Sequence, residues 1–429
     1  MSLESTLKYC QLPPDAEEKT ESEFRDLLDS CRTAYTIPAA AFDSYKVKRG
    51  LREPDGTGVT AGVTRIGNAH GYVVNEGEKC PVDGVLEYRG YNICDLLEGC
   101  IAEGRFGFEE CAFLLFMGHL PTRWELQEFA DVLAMLRHLP PRFTEDIIMK
   151  APSRSIMNKL EVAVLSLYAY DDNPDDTSLE NMMRQSMELV ARLPVIAGQA
   201  YAVYRNTFFN KSLNLHNPRD GLSTAENFLR ILRPDKSYTP EEAHLLDLCL
   251  IIHAEHGGAN IKVQEMFDCV KANVRDPHND DELSDFLLRI LQGKANDGSG
   301  LIYGMGHAVY TKSDPRAVML KRYARQLAQD KGYGEDFELL ESIERLTPEV
   351  FNTYKGKHHD ICANVDLYSG LVYRMLGIPT EMYTPLFTIA RTAGWCAHRM
   401  EEILSSGKIM RPGYKCIERE RPYTELTRR

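Results

Sequence analysis

The stretch Gly304-Met305-Gly306-His307-Ala308-Val309-Tyr310-Thr311-Lys312-Ser313-Asp314-Pro315-Arg316 decides how the rest of the chain is read. Two glycines ahead of His307 allow a sharp turn and a close approach of backbone to a neighbour or ligand, which a side chain at either position would obstruct. His307 therefore sits on a tight loop. Asp314-Pro315 reads as a turn opening a helix over Ala317 to Gln329, with Arg316 in its first turn. A cation is unusual there, because helix N-termini favour negative neighbours. Arg316 and the N–H groups of that turn can hold an anion beside His307, and a ligand with both a carboxylate and a carbonyl suits the pair. The other reading of the stretch alone is a buried histidine bonded to backbone and an arginine in a surface ion pair.

Working outward, 429 residues allow two or three domains and a sizeable core. The formal net charge of -13 argues against nucleic acid or an anionic membrane surface as a partner, since both need a basic face. Anionic substrates must instead be met by arginines gathered locally. Eleven cysteines, Cys94, Cys100, Cys111, Cys249 and Cys269 among them, are scattered among apolar residues without C-x-x-C pairs. Reduced thiols in a cytoplasmic compartment follow. Met1 to Lys19 has no apolar leader core, and no apolar run is long enough to span a bilayer.

Residues 1–45 read as an N-terminal arm with an acidic helical stretch from Glu17 to Arg32. Short apolar pieces between glycines, around Ile66, Tyr72 and Val85 to Gly90, suggest small hairpins. Gly56-Thr57-Gly58 lacks a preceding strand and a following amphipathic helix, so a nucleotide loop is not indicated. From Phe108 the pattern is helical: Phe108 to Phe116, stopped at Gly118, then Arg123 to Leu136, Ser155 to Tyr168, Leu179 to Asn206 interrupted near Pro194, and Ala225 to Leu232. Thr239-Pro240-Glu241-Glu242 is a capping box opening a helix that ends at His253. After a polar stretch at Arg275 to Asp281, helices resume over Leu283 to Leu291, Ala317 to Gln329 and Phe337 to Phe351. An apolar block from Leu367 to Ile403 precedes a basic tail. The absence of βαβ alternation argues against a doubly wound sheet, and from Phe108 onward the chain reads as helical almost throughout.

Three further features join the opening stretch. His253-Ala254-Glu255-His256-Gly257-Gly258-Ala259-Asn260 reads as a helix carrying two imidazoles and ending at a glycine pair. Ala363-Asn364-Val365-Asp366 places one carboxylate at the start of an apolar helix, and Arg391 and Arg411 add cations. An acid, imidazoles and arginines over the last two-fifths of the chain suggest chemistry on a polycarboxylate. His253 with His256, and His358-His359 beside Asp360, lack a third ligand at a convincing spacing, so no metal is expected.

These residues together resemble the citrate synthase family, including its bacterial 2-methylcitrate synthases. The signature G-x-G-H-A-V-x-x-x-x-D-P-R stands ungapped at Gly304 to Arg316, and N-V-D, A-R-T-A-G and I-x-R-P follow in the family's order, with Leu86 to Tyr91 and Leu232-Arg233-Pro234 upstream. The resemblance implies an all-α, two-domain fold: a large helical domain over residues 46–261 and 376–429, and a smaller inserted domain over 262–375. It implies a homodimeric enzyme of the tricarboxylic acid cycle that condenses acetyl-CoA, or propionyl-CoA, with oxaloacetate and hydrolyses the thioester. No cofactor is held permanently; acyl-CoA is a co-substrate. Carried over, Asp366 is the base that takes a methyl proton, His256 hydrogen-bonds the enol oxygen, and His307 polarises the ketone of oxaloacetate. Arg316 and Arg391 clamp carboxylates, joined by Arg411 of a neighbouring subunit. Lys312 and Lys357, near signature stretches, are candidates for the phosphates of CoA, or else solvated surface lysines.

One departure stands out. The family separates an H-A-[DE]-H motif from a later G-P-x-H-G-G-A-N motif by tens of residues. Here His253 to His256 matches the first and His256 to Asn260 the second, so the two are fused on one histidine. One imidazole cannot occupy both places. The alternative reading is therefore a non-catalytic relative that binds oxaloacetate or CoA.

Overall fold

The computed structural model describes residues 37–53, 58–75, 78–256, 260–356 and 358–405, together with 19, 20, 22–25, 27, 28 and 417. Two compact units are separable, residues 1–63 with 408–429 and residues 64–407. In the first unit lie a short helix α1 (Ala39–Ser44) and a 3-10 turn (Arg49–Leu51). Half of the acidic stretch expected as a helix from Glu17 to Arg32 lies outside the described residues; the described positions 19–20, 22–25 and 27–28 are helical.

The second unit opens with an antiparallel sheet, β1 (Gly67–Asn75), β2 (Glu78–Tyr88) and β3 (Tyr91–Asn92), in that spatial order. The expected small hairpins are thus one sheet, with a register shift between His70 and Tyr72. Helices follow: α2 (Ile93–Ala102), α3 (Phe108–Met117), α4 (Arg123–Leu136), α5 (Ile156–Leu167), α6 (Leu179–Phe209), α7 (Thr224–Leu232) and α8 (Pro240–His253). Beyond them lie α9 (Asn260–Asn273), α10 (Asp280–Leu291), α11 (Pro315–Asp330), α12 (Gly334–Lys355), α13 (Asp366–Met375) and α14 (Tyr383–Leu404). The fold is all-α apart from the small sheet.

Local chemistry sets many of these boundaries. Thr122 with Glu125, Ser223 with Glu226 and Thr239 with Glu242 form reciprocal capping boxes that satisfy orphan N–H groups at the starts of α4, α7 and α8. Gly118 ends α3 in the left-handed region at φ +82°. The interruption expected at Pro194 does not occur, and α6 runs unbroken through it. An interior proline costs about 3 kcal/mol. Leu193, Val195 and Ile196 are buried beside it, each side chain contributing roughly 1.5–3 kcal/mol, so packing outweighs the lost hydrogen bond.

The central element is α8, whose residues from Leu245 to His253 are all buried. A helix apolar on every side belongs inside the core. It packs against α14, α7 and α11, and α14 packs in turn on α6. The result is a rigid frame that carries His253 at the C-terminus of α8, Arg316 at the N-terminus of α11, Asp366 at the N-terminus of α13 and Arg391 midway along α14. No helix among the described residues is long and apolar enough to cross a membrane.

Candidate functional site

The loop bearing His307 is held from two sides. Gly304 has φ +84° and Gly306 φ +87°, conformations that side chains resist. A Cβ on Gly304 would lie 2.9 Å from Leu367 Cδ1 and 3.0 Å from Leu367 Cα, so the loop rests directly on the first turn of α13. Gly306 needs glycine for its backbone angle alone, since nothing lies within 4 Å of its Cβ position. Asn364 stitches loop to helix. Its N–H donates to Gly304 O at 2.9 Å, its Nδ2 to Gly306 O at 3.0 Å, and its Oδ1 accepts the Asp366 N–H at 3.0 Å. On the other side the sheet presents Gly71 and Gly84, where a Cβ would lie 2.7 Å from Val309 O and 2.2 Å from Ser313 O. Residues 309–313 therefore lie flat on the hairpin, pinned by a hydrogen bond from Gly84 N to Ser313 O at 3.1 Å.

These restraints fix the tautomer of His307. Its Nδ1 accepts the backbone N–H groups of Val309 at 3.0 Å and Tyr310 at 3.1 Å, so the neutral ring carries its proton on Nε2. The ring stacks on Tyr310 at 4.6 Å between centroids. Nε2 lies 3.4 Å from Arg316 Nη2. Two donors thus converge, and an incoming carbonyl or carboxylate oxygen satisfies both.

Arg316 is fully buried, and Asp314 answers its charge. Asp314 Oδ1 accepts from the backbone N–H of Arg316 at 3.0 Å and from its Nε at 2.9 Å; Oδ2 accepts from Nη2 at 2.7 Å and from the N–H of Val365 at 3.1 Å. One carboxylate thus caps α11, pairs with the guanidinium in a fork and anchors the segment entering α13. Burial raises the Asp314 pKa, but Arg316 outweighs it and leaves the carboxyl below its ordinary value. Nη1 of Arg316 donates to His256 O at 2.6 Å. The arginine in a surface ion pair is corrected: the pair is interior and local, formed with Asp314 two residues before it.

The two histidines at the end of α8 part company. His253 is the last helical residue, wholly buried against Phe387, with Nδ1–H donating to Cys249 O at 2.7 Å. His256 lies beyond the helix, half-buried, its ring 5.4 Å from that of His307. The expectation of one helix carrying both imidazoles is therefore corrected, because α8 ends at His253 with Ala254 as its cap, and His256 lies past that end. Burial lowers the His253 pKa to about 3, and burial with the nearby Arg316 and His307 lowers that of His256 to about 4. Both rings are neutral near pH 7.

Arg391 closes the cluster. Its Nε donates to His253 O at 2.8 Å and its guanidinium lies 4.6 Å over the Phe387 ring, while Nη2 is buried without a hydrogen-bond partner among the described residues. A buried unsatisfied cationic donor is costly, and a carboxylate ligand removes that cost. Asp366 is buried at the first turn of α13, within electrostatic reach of Arg391.

His256, His307, Arg316, Asp366 and Arg391 therefore gather in one place, although they come from four separate stretches of the chain. Lys312 is exposed. Lys357 and Arg411 lie outside the described residues. Among the described residues no group of three His, Cys, Asp or Glu side chains is placed to hold a metal ion. Sequence reading missed Asn364 and Asp314 as supports, and Gly71 and Gly84 as the seat of the loop. It also missed Glu255, whose carboxylate accepts from or pairs with His398 Nε2 at 3.1 Å. The D-P-R and N-V-D letters were the available signal for the first two.

Known proteins resemble the chain in sequence and in fold. The family model described as citrate synthase, C-terminal domain, matches residues 57–260 and 255–413, so that both matched stretches include residues 255–260. A citrate synthase of Synechocystis sp. is 31% identical over 409 aligned positions, covering 86% of this chain and 90% of that protein. One from Corynebacterium glutamicum is 30% identical, covering 77% and 79%. Among solved structures, citrate synthase from Pyrobaculum aerophilum superposes with a TM-score of 0.66 at 25% identity, covering 88% of this chain and 94% of that one. The ternary complex of citrate synthase from Thermoplasma acidophilum with carboxymethyl coenzyme A and oxaloacetate gives 0.69 at 22% identity, covering 89% and 99%, a likeness of fold.

Proposed function

The chain belongs to the citrate synthase family, and from that premise we propose that it condenses acetyl-CoA with oxaloacetate and hydrolyses the thioester to citrate and CoA. The observation that carries the reading is the His307 ring, whose Nδ1 is capped by two backbone amides so that Nε2–H stands beside Arg316 as a fixed donor. A ketone oxygen placed there is polarised without any rearrangement of the site. Arg391 supplies the cation for a substrate carboxylate, and Arg316, its charge balanced by Asp314, orients a second oxygen.

Asp366 takes a proton from the methyl group of the thioester, and the developing enolate oxygen receives the N–H of His256, neutral at pH 7. A methyl next to a thioester is a very weak acid, so this step needs a preorganised donor in a dry site. The carbanion carbon then adds to the ketone carbon, whose oxygen takes the His307 proton. Water hydrolyses the resulting thioester, giving citrate and the free thiol of CoA. Closure of a smaller domain, residues 262–375, over the larger one would exclude water until the carbon–carbon bond has formed. The reading extends to propionyl-CoA as an alternative acyl donor, to Lys312 and Lys357 near the CoA phosphates, and to a cytoplasmic homodimer in which Arg411 of one copy completes the other's site.

A chromogenic thiol reagent tests the proposal. Thiol release that requires both substrates and disappears in Asp366→Asn supports it; no release from folded protein overturns it. A second reading, a relative that binds oxaloacetate without turnover, is favoured by the single His256 standing where two motifs meet. Its signature is saturable oxaloacetate binding, no thiol release, and unchanged binding in Asp366→Asn.

A further inference from the structure

The turn that carries His256 is held from outside its own helix. α8 ends at His253, and the carbonyls at and beyond that end need partners from elsewhere. They are met one by one. His253 O accepts from Arg391 Nε at 2.8 Å, Ala254 O from the Gly394 N–H at 3.0 Å, and His256 O from Arg316 Nη1 at 2.6 Å. Between the last two, the Glu255 carboxylate meets His398 Nε2 at 3.1 Å. Arg391, Gly394 and His398 stand at i, i+3 and i+7 of α14, so one face of that helix is a template for residues 253–255. Gly394 is part of the fit: a Cβ there would lie 2.4 Å from Ala254 O and 3.0 Å from Glu255 Cα.

Glu255 is confined from a second side. A Cβ on Gly67, the first residue of β1, would lie 2.7 Å from Glu255 Cδ, so the carboxylate is wedged between strand and helix. Burial raises its pKa, but His398, His256 and Arg391 outweigh burial and leave it below its ordinary value. An ionised carboxylate only accepts, which places a proton on His398 Nε2. The histidine is anchored in turn. Its Nδ1 lies 4.0 Å from Glu401 Oε2, and Glu401 accepts from Thr64 Oγ1 at 2.6 Å and from the Arg65 N–H at 2.7 Å. A chain of contacts therefore runs from the lead-in to β1, through α14, to the residue before His256.

We propose that His398 is a positioning residue for the condensation: by fixing the Glu255 carboxylate between α14 and β1, it sets the turn that keeps the His256 ring 5.4 Å from that of His307. The inference rests on the reading of His256 as donor to the enolate oxygen. A shift of about 1 Å in such a group can cost about a hundredfold in rate. The groups assigned to oxaloacetate keep their own supports: two backbone amides for His307, Asp314 for Arg316 and His253 O for Arg391. The loss therefore falls on kcat rather than on KM for oxaloacetate.

The test compares His398→Leu, which loses the donor, with His398→Gln, whose amide keeps one at similar reach. It reads thiol release and, independently of turnover, the ring resonance of His256 in protein labelled with 13C-histidine, identified by its loss in His256→Gln. The expected result for His398→Leu is kcat lower by about tenfold or more, KM for oxaloacetate within about twofold and a displaced His256 resonance, with His398→Gln recovering both kcat and resonance. Glu255→Ala should be as slow as His398→Leu and the double variant no slower than either, because all three break one link. In an active chain, the inference is overturned if folded His398→Leu leaves kcat or the His256 resonance unchanged, if His398→Gln is impaired as much as His398→Leu, or if the two losses add. Absence of thiol release from the unaltered chain overturns the condensation reading instead. The resonance then decides alone: displacement in His398→Leu with recovery in His398→Gln supports the positioning of His256, and any other pattern overturns it.

Discussion

Asp314→Asn perturbs the one carboxylate that joins three segments of the site. It removes the negative charge facing Arg316, which is fully buried, while leaving a side chain of equal size that still caps α11 through Oδ1. The amide nitrogen must then face Arg316 Nη2 and the Val365 N–H, both donors. Removing one partner of a buried ion pair costs about 3–5 kcal/mol, because the other charge is left uncompensated. Retention of the cap keeps the loss within that range. At about 2 °C per kcal/mol for a domain of this size, the melting temperature falls by about 6–10 °C. The assay is chemical denaturation with calorimetry, repeated on Asp314→Asn/Arg316→Gln. Removing both charges should restore part of the stability, giving a favourable coupling of at least about 1 kcal/mol in the double-mutant cycle. A loss below about 1 kcal/mol in the single variant, or strict additivity, refutes the role given to this carboxylate.

Gly304→Ala should cost about 1–2 kcal/mol for its left-handed backbone and more for the contact with Leu367, shifting the start of α13 and reducing thiol release sharply. Gly306→Ala, with open space at its Cβ, should cost only the backbone term; equal losses in the two variants contradict the close packing. Asn364→Ala should lower thiol release by a larger factor than its cost of about 1–2 kcal/mol in stability suggests, because it frees the His307 loop from α13. Unchanged kcat in that variant contradicts the stitch. His253 and His256, with pKa values lowered to about 3 and about 4, stay neutral in the fold while the unfolded chain protonates them near pH 6.5. Their contribution to stability is therefore full above about pH 6.5 and declines as pH falls toward 4. Denaturation midpoints between pH 7.5 and 5 should show that slope, reduced in His256→Gln; an equal slope in both proteins contradicts it.

What the sequence disclosed was local. Thr239 with Glu242, Gly118, and Asp314-Pro315 act on their own turns, so their letters announced the ends of helices correctly. The glycine signature likewise foretold a tight loop and close approach, and the approach is to Leu367. Partners far apart in the chain were not legible. Asp314 looked like a turn residue, and only folding brings its second oxygen to Val365 N, 51 residues away. Gly71 and Gly84 looked like ordinary strand glycines until the loop at 309–313 lay across them. His253 and His256 share a helical spacing, but the backbone leaves the helix between them, sending one ring to Phe387 and the other to His307. Pro194 misled because tertiary burial, which no local pattern expresses, decides whether a long helix survives a proline.

The central claim is that Arg391, Arg316 and His307 form one receptor for a keto-dicarboxylate. Calorimetric titration of oxaloacetate into the unaltered chain and into Arg391→Gln tests it most directly. The account predicts saturable binding at one site per chain, weakened about thirtyfold or more in the variant, the loss of about 2 kcal/mol expected for a buried charge-assisted contact. Absence of saturable heat in the unaltered chain, or equal affinity in the two proteins, would contradict it.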